Sequence, residues 1–124
     1  MIAVDTSTLI AFIGGQHGAD VDQLDAALAT SDVALPPVVL TEFLSEPQLP
    51  PNHRAIAMAL PLLELLPDYW LRAGEVRAKL LAKGLRARLA DSLIAQSCID
   101  HSVMLITRDN DFRHFVKHGG LKLA

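Results

Sequence analysis

The chain carries a single cysteine, Cys98, in 124 residues. That excludes an internal disulfide and a cysteine-rich zinc site. Cys98 lies in an apolar, helix-like run and reads as a buried, inert thiol. No apolar stretch reaches about eighteen residues, which argues against a membrane span. The N-terminus lacks the basic start and apolar run of a secretory signal. These absences favour a cytoplasmic setting with no membrane contact. Aromatic residues are few: four Phe, one Tyr and one Trp. The chain therefore has no evident platform on which bases could stack. A Gly-rich phosphate loop is also missing, because Gly14-Gly15 is not followed by Lys and Ser or Thr. Bases are scarce in the first half. Residues 1–68 hold nine acids against Arg54 alone, net −8, while residues 69–124 hold ten bases against five acids, net +5.

What remains is an apolar chain with a few conspicuous acids. Apolar residues make up 51% and charged residues 20%, which suits one compact domain spanning 1–124 with a real core. The mean hydropathy of +0.30 is high for a monomer of this size, so some apolar surface is expected to meet another chain. The densest basic stretch, Arg72 to Arg88, holds Arg72, Arg77, Lys79, Lys83, Arg86 and Arg88 against Glu75 alone. It reads either as a solvated helix face or as a rim that binds a polyanion.

Strand and helix patterns alternate. Ile2–Val4, Val33–Leu35 and Val103–Ile106 read as short buried strands. Leu62–Leu66 is a further strand candidate that could also be helical, and Leu121–Leu123 reads as an edge strand. Helices are expected over Leu9–Ile13, 20–30, Val38–Ser45 with Pro37 in its first turn, 53–60, Tyr69–Lys83, Leu89–Ile99 and Phe112–His118. This order predicts an α/β sandwich with a mostly parallel sheet. In such sheets, sites lie beyond the carboxyl ends of the strands.

Asp5 and Asp109 stand at such ends. Glu42 has Val38 and Val39 as its i−4 and i−3 neighbours, which places it on an apolar helix face. Asp91 either caps the helix that follows or points inward with Ile94 and Ala95. Asp109 and Asp111, in Thr107-Arg108-Asp109-Asn110-Asp111, can also be read as turn residues. Asp5 can be read as a helix cap, although Thr6, Ser7 and Thr8 offer uncharged alternatives. Two carboxylates ~5 Å apart repel by about 3 kcal/mol at an effective dielectric near 20. Four gathered acids therefore need a compensating cation. Oxygen-only ligands point to a divalent cation such as Mg²⁺ and to phosphate chemistry.

Four blocks then fall in an order that resembles a known family. Val4-Asp5-Thr6-Ser7, Val38-Val39-Leu40-Thr41-Glu42, Leu89-Ala90-Asp91-Ser92-Leu93-Ile94-Ala95 and Leu105-Ile106-Thr107-Arg108-Asp109-Asn110-Asp111-Phe112 look like the successive motifs of PIN-domain ribonucleases. The small size resembles the VapC-type toxins of toxin–antitoxin pairs. The resemblance implies a three-layer α/β/α sandwich with a short, mostly parallel central sheet, and a Mg²⁺- or Mn²⁺-dependent endoribonuclease with Asp5, Glu42, Asp91 and Asp109 on the acidic positions. Asp111 stands near the last of these, so either Asp109 or Asp111 is the closer metal-site acid. Thr107 matches a hydroxyl position beside the pocket, with Thr6 or Ser7 as a second supporting hydroxyl. It also implies a homodimer and a separate antitoxin that covers an apolar groove and sends a basic side chain into the acidic pocket.

The expected reaction is in-line attack of metal-activated water on an RNA phosphodiester, leaving a 5′-phosphate and a 3′-hydroxyl. Asp5 and Asp91 are the expected direct or water-bridged ligands, with Glu42 and Asp109 placing waters or a second ion. Arg86, Arg88 and Arg108, near the acidic blocks in sequence, are the candidate phosphate contacts. A phosphatase with an Asp after its first strand needs a second Asp two residues on, where this chain has Ser7. A non-catalytic partner-binding module is the other rival. His114 and His118 are spaced for a helical metal site, but no acid completes a zincin pattern. Trp70 reads as a packing anchor.

Overall fold

Three short parallel strands organise the chain, whose computed structural model describes all 124 residues. The first strand, β1 (Ile2–Val4), lies between β2 (Val33–Ala34) and β3 (Met104–Ile106). Ile2 pairs with Val33 on one side and Met104 on the other, and Val4 pairs with Ile106. Ala3 and Val4 point to opposite faces, yet both are wholly buried. Helices must therefore cover both faces, which is the three-layer arrangement expected for a parallel sheet.

Parallel strands need crossovers, and the helices supply them. Helices α1 (Thr6–Ile13) and α2 (Ala19–Ala29) link β1 to β2. Four more link β2 to β3: α3 (Pro37–Leu44), α4 (Pro51–Met58), α5 (Tyr69–Ala82) and α6 (Leu89–His101). After β3 come a 3-10 turn (Asn110–Phe112) and α7 (Arg113–Gly119). Pro37 and Pro51 each open a helix, where the missing N–H leaves nothing unsatisfied. Helix α6 is buried over most of its girth, including Ser92, Ile94, Ala95, Gln96, Ser97 and Cys98. Burial pushes the Cys98 thiol up to about 12, which makes it the inert thiol read from the sequence.

Three expectations need correction. Leu62–Leu66 is not a strand: only Leu62 bridges, to Leu35. Pro61 and Pro67 bracket the segment and prevent a longer ladder. Leu121–Leu123 likewise makes one bridge, Leu123 to Leu105. Trp70 is not a packing anchor, since it is 66% exposed. Its neighbour Tyr69 takes the buried place, and the Tyr69 hydroxyl donates to the Leu93 carbonyl at 2.5 Å, fastening α5 to α6.

The core runs continuously from β1 and β3 to Leu24, Val39, Leu80, Ile94, Phe112 and Phe115. Phe115, fully buried on α7, holds the last helix against this core. Phe115→Ala is expected to cost ~3–5 kcal/mol, measured as a lower denaturation midpoint in urea with an unchanged slope.

Candidate metal centre

The carboxyl ends of β1 and β3 lie side by side, since the Asp5 N–H donates to the Ile106 carbonyl at 3.1 Å. That register places Asp5 beside the loop that begins at Thr107. Asp5 is buried and caps α1, its Oδ1 accepting from the Thr8 N–H at 3.0 Å. The charged residue thus takes the capping role that its uncharged neighbours could have filled. Ser7 Oγ donates to both Asp5 oxygens, at 2.9 and 2.8 Å. Thr107 Oγ1 donates to Asp5 Oδ2 at 2.5 Å. Burial raises the Asp5 carboxyl above its ordinary range, and the hydrogen bonds from Thr107, Thr8 and Ser7 pull it back.

The same hydroxyl shapes the loop beyond it. Thr107 Oγ1 accepts from the Asp109 N–H at 3.0 Å, and Asp109 Oδ1 accepts from the Asp111 N–H at 2.9 Å. Asp109 is therefore the cap of the 3-10 turn as well as a site acid. Asp91 is not a cap. It lies in the first turn of α6, where the helix dipole favours a negative charge.

One cleft of about 240 Å³ is lined by Asp5, Thr6, Ser7, Glu42, Arg88, Asp91 and Asp109, with Ile10 and Ile94 as apolar wall. All four expected acids face it. Glu42 is exposed, in contrast to the buried setting read from its apolar neighbours. Val39 and Phe43 take the inward face of α3, and Glu42 turns to α1, accepting from Thr6 Oγ1 at 2.6 Å.

Asp91, Asp109 and Asp111 each bring one carboxylate oxygen within 4.8 Å of the others. Both Asp109 and Asp111 thus stand beside Asp91, while the oxygens of Asp5 are engaged by hydroxyls. Asp91 Oδ2 is buried and has no hydrogen-bond partner. Burial first, and then the Asp109 charge, push the Asp91 carboxyl up to about 6. A buried, unpartnered carboxylate oxygen among like charges, in a set of oxygen donors only, fits a hard divalent cation such as Mg²⁺ or Mn²⁺.

The three arginines read as phosphate contacts part company. Arg88 lines the cleft. Arg86 is 60% exposed and reaches Asp111 at 3.8 Å. Arg108 faces elsewhere. Its Nε and Nη2 grip Asp20 at 2.8 and 3.0 Å, Nη2 also donates to the His17 carbonyl, and Nη1 donates to Gln16 Oε1. Asp20 also accepts from Thr8 Oγ1 at 2.9 Å, and Arg108 with Thr8 holds its carboxyl down to about 2. Arg108 is therefore a brace between the Thr107–Asp111 loop and the start of α2. Gly18 makes room for it: a Cβ there would stand 2.6 Å from Asp20 Oδ1, and its φ of +151° disfavours any side chain. No sequence signal marked Asp20, an ordinary first-turn helix acid.

Comparison with known proteins bears on the family and the fold. The PIN domain family model matches residues 2–117. No curated protein matches the chain. A chain of the Rickettsia felis VapBC2 structure, solved bound to a DNA fragment from their promoter, superposes with a TM-score of 0.77 at 21% identity, covering 100% of this chain and 98% of that one. A chain of VapBC-5 from Mycobacterium tuberculosis, described as a member of the VapBC family of toxin-antitoxin systems, gives 0.65 at 26% identity, covering 99% and 94%.

Two outcomes follow. The raised Asp91 carboxyl destabilises the metal-free fold increasingly as pH rises from about 4, where the unfolded chain ionises, through about 6. Asp91→Asn is therefore expected to raise the metal-free melting temperature by a few degrees at pH 7.5 and to remove the further rise on adding Mn²⁺, both read by thermal unfolding with and without EDTA. The depressed Asp20 carboxyl works in the opposite sense, contributing stability above about pH 4 that is lost as pH falls toward 2. Asp20→Asn should lower the melting temperature at pH 7, with the gap from the parent narrowing below pH 4.

Proposed function

The chain belongs to the PIN-domain family, and from that premise we propose that it is a metal-dependent endoribonuclease, the toxin of a toxin–antitoxin pair. The observation that carries the reading is the convergence of Asp5, Glu42, Asp91 and Asp109 on one cleft, with Asp111 beside them and an orphaned carboxylate oxygen among them. Asp91, Asp109 and Asp111 would hold a Mg²⁺ or Mn²⁺ ion. Such an ion supplies the positive charge that lowers the pKa of water and stabilises negative charge on a reacting phosphate.

The chain's own residues do the rest. Arg88, on the rim of the cleft, draws in a backbone phosphate and fixes its orientation. A water ordered by Glu42 in the cleft gives its proton to that carboxylate as the new phosphorus–oxygen bond forms in line. The bond to the 3′ oxygen breaks, that oxygen takes a proton from solvent water, and the products carry a 5′-phosphate and a 3′-hydroxyl. Asp5 works from behind: with Thr107 it fixes the loop that carries Asp109 and Asp111. Glu42, held by Thr6, closes the far side of the cleft and can order a water there.

Partner binding belongs to the same reading. Trp70, Leu71 and Leu89 are all more than 60% exposed. Trp70 and Leu89 line an apolar groove of about 240 Å³ with Ala73 and Leu93. The two similar chains come from structures described as VapBC systems, which supports a cognate antitoxin as the occupant of apolar surface here. The homodimer and the cytoplasmic setting, where the RNA substrate lies, complete the proposal. No helix is long and apolar enough to cross a membrane.

The decisive experiment incubates the protein with RNA and Mg²⁺ or Mn²⁺, with and without EDTA, beside Asp5→Asn. Cleavage that stops with EDTA and falls about 10- to 100-fold or more in the variant is expected. Cleavage that ignores both changes defeats the nuclease reading. Growth arrest on expression, relieved by a co-expressed neighbouring gene, is the expected outcome in cells.

A further inference from the structure

The hydrogen bonds divide the basic half of the chain into two groups. Arg72 is held by Asp100 and the Pro67 carbonyl. Arg77 donates its Nε to the Ala87 carbonyl at 2.8 Å, and Arg108 is held by Asp20. These three serve the fold. Lys83 and Lys117 have no acidic partner within salt-bridge distance, and both are exposed.

These free cations converge. Lys79 Nζ donates to the His118 carbonyl at 3.0 Å, which joins the end of α5 to the end of α7. Lys83 ends α5 one turn beyond Lys79, and Lys117 stands beside His118 in the last turn of α7, so the Lys79–His118 contact brings these side chains to one place; burial, with the charges of Lys83, Lys117, Lys79 and His114, holds the His118 imidazole below its usual range. Gly84 turns the chain from Lys83 toward Arg86 and Arg88. Arg86 then faces Asp111 and Arg88 lines the cleft. Each cation at a helix end is favourable alone. Gathering them on two adjacent helix ends is not, because like charges repel. Glu75, one turn before Lys79 on α5, is the nearest acid in sequence, and it forms no salt bridge.

We propose that Lys83, Lys117 and Lys79 form a phosphate-binding track that continues the RNA path from Arg88 and Arg86 at the cleft to the far end of α7. The proposal rests on the ribonuclease reading and names where the substrate lies outside the cleft. Asp111 and His118 are separated by the length of α7, ~10 Å at 1.5 Å per residue. That spans about three stacked nucleotides at roughly 3.4 Å each. The track grips backbone and carries no aromatic side chain, so it holds RNA with little regard to sequence.

The test uses the full protein in EDTA, where RNA binds without being cut. Fluorescence anisotropy gives the affinity for single-stranded RNAs of about 12 and about 4 nucleotides across a salt series, for the parent and for Lys83→Gln/Lys117→Gln. The parent should favour the longer RNA, and the variant should lose about tenfold of that preference. Its salt slope on the longer RNA should be shallower by roughly 1.4, two contacts at ~0.7 each. An unchanged preference and slope overturn the track. So does a variant that binds RNA like the parent but binds an acidic partner protein less tightly, since the cations then serve that partner. Cleavage of the longer RNA with Mn²⁺, run alongside, reports on the ribonuclease reading separately: a parent that binds but never cuts removes that reading and leaves the binding result standing.

Discussion

Like charge in a small space is the constraint to which the rest of this fold responds. Ionised pairs at the separation of Asp91, Asp109 and Asp111 repel by roughly 3 kcal/mol each at an effective dielectric near 20. The structure answers this differently at each acid. Asp5, the most buried, is surrounded by donors: two hydroxyls and a backbone N–H. Asp109 accepts a backbone N–H from its own turn. Asp91 is given only the end of a helix dipole and the distant charge of Arg88, and its carboxyl rises accordingly. The acid left least satisfied, Asp91, belongs to the trio, which is where a cation does most to lower the energy.

Thr107 links these responses. It donates to Asp5 and accepts from the Asp109 backbone, so one hydroxyl fixes the end of β1 to the loop after β3. That contact spans 102 residues of chain. Behind it, Arg108 and Asp20 tie the same loop to α2, and Thr8 joins Asp20 to α1. The loop that carries Asp109 and Asp111 is thus held at both faces before any ligand arrives, an arrangement that lowers the cost of assembling a metal site.

Much of this was legible in the sequence, for reasons that can be traced to particular residues. Apolar runs ending in Asp5 and Thr107–Asp109 mark strand ends, and parallel sheets gather their strand ends at one edge. Asp91 could be placed because its helix neighbours Ile94 and Ala95 face the core. Where local pattern was the only guide, it misled. Glu42 shares a turn with Val38, but Val38 is itself only half-buried, so the apolar face it marks is the rim of α3. Trp70 and Tyr69 are adjacent, and no periodicity decides which of two aromatic neighbours turns inward. Arg108 looked free because its partner lies 88 residues earlier. Charge pairs at that separation leave no trace in composition or spacing.

The helix α6 joins the two surfaces on which the proposed function depends. Arg88, Asp91 and Ile94 line the acidic cleft, while Leu89, Ser92 and Leu93 line the apolar groove beside Trp70. These are two faces of the same first turns, separated by one or two residues at each step. A chain lying in the groove has only the width of one helix to cross before it meets the carboxylates. A basic side chain carried across would find Asp91 without a hydrogen-bond partner and would meet the same unbalanced charge that favours a cation. Under the proposed reading, partner and metal ion answer one electrostatic need, so occupancy by one weakens the case for the other. Control of the cleft by a bound protein then requires no change of fold, only a side chain long enough to pass the start of α6.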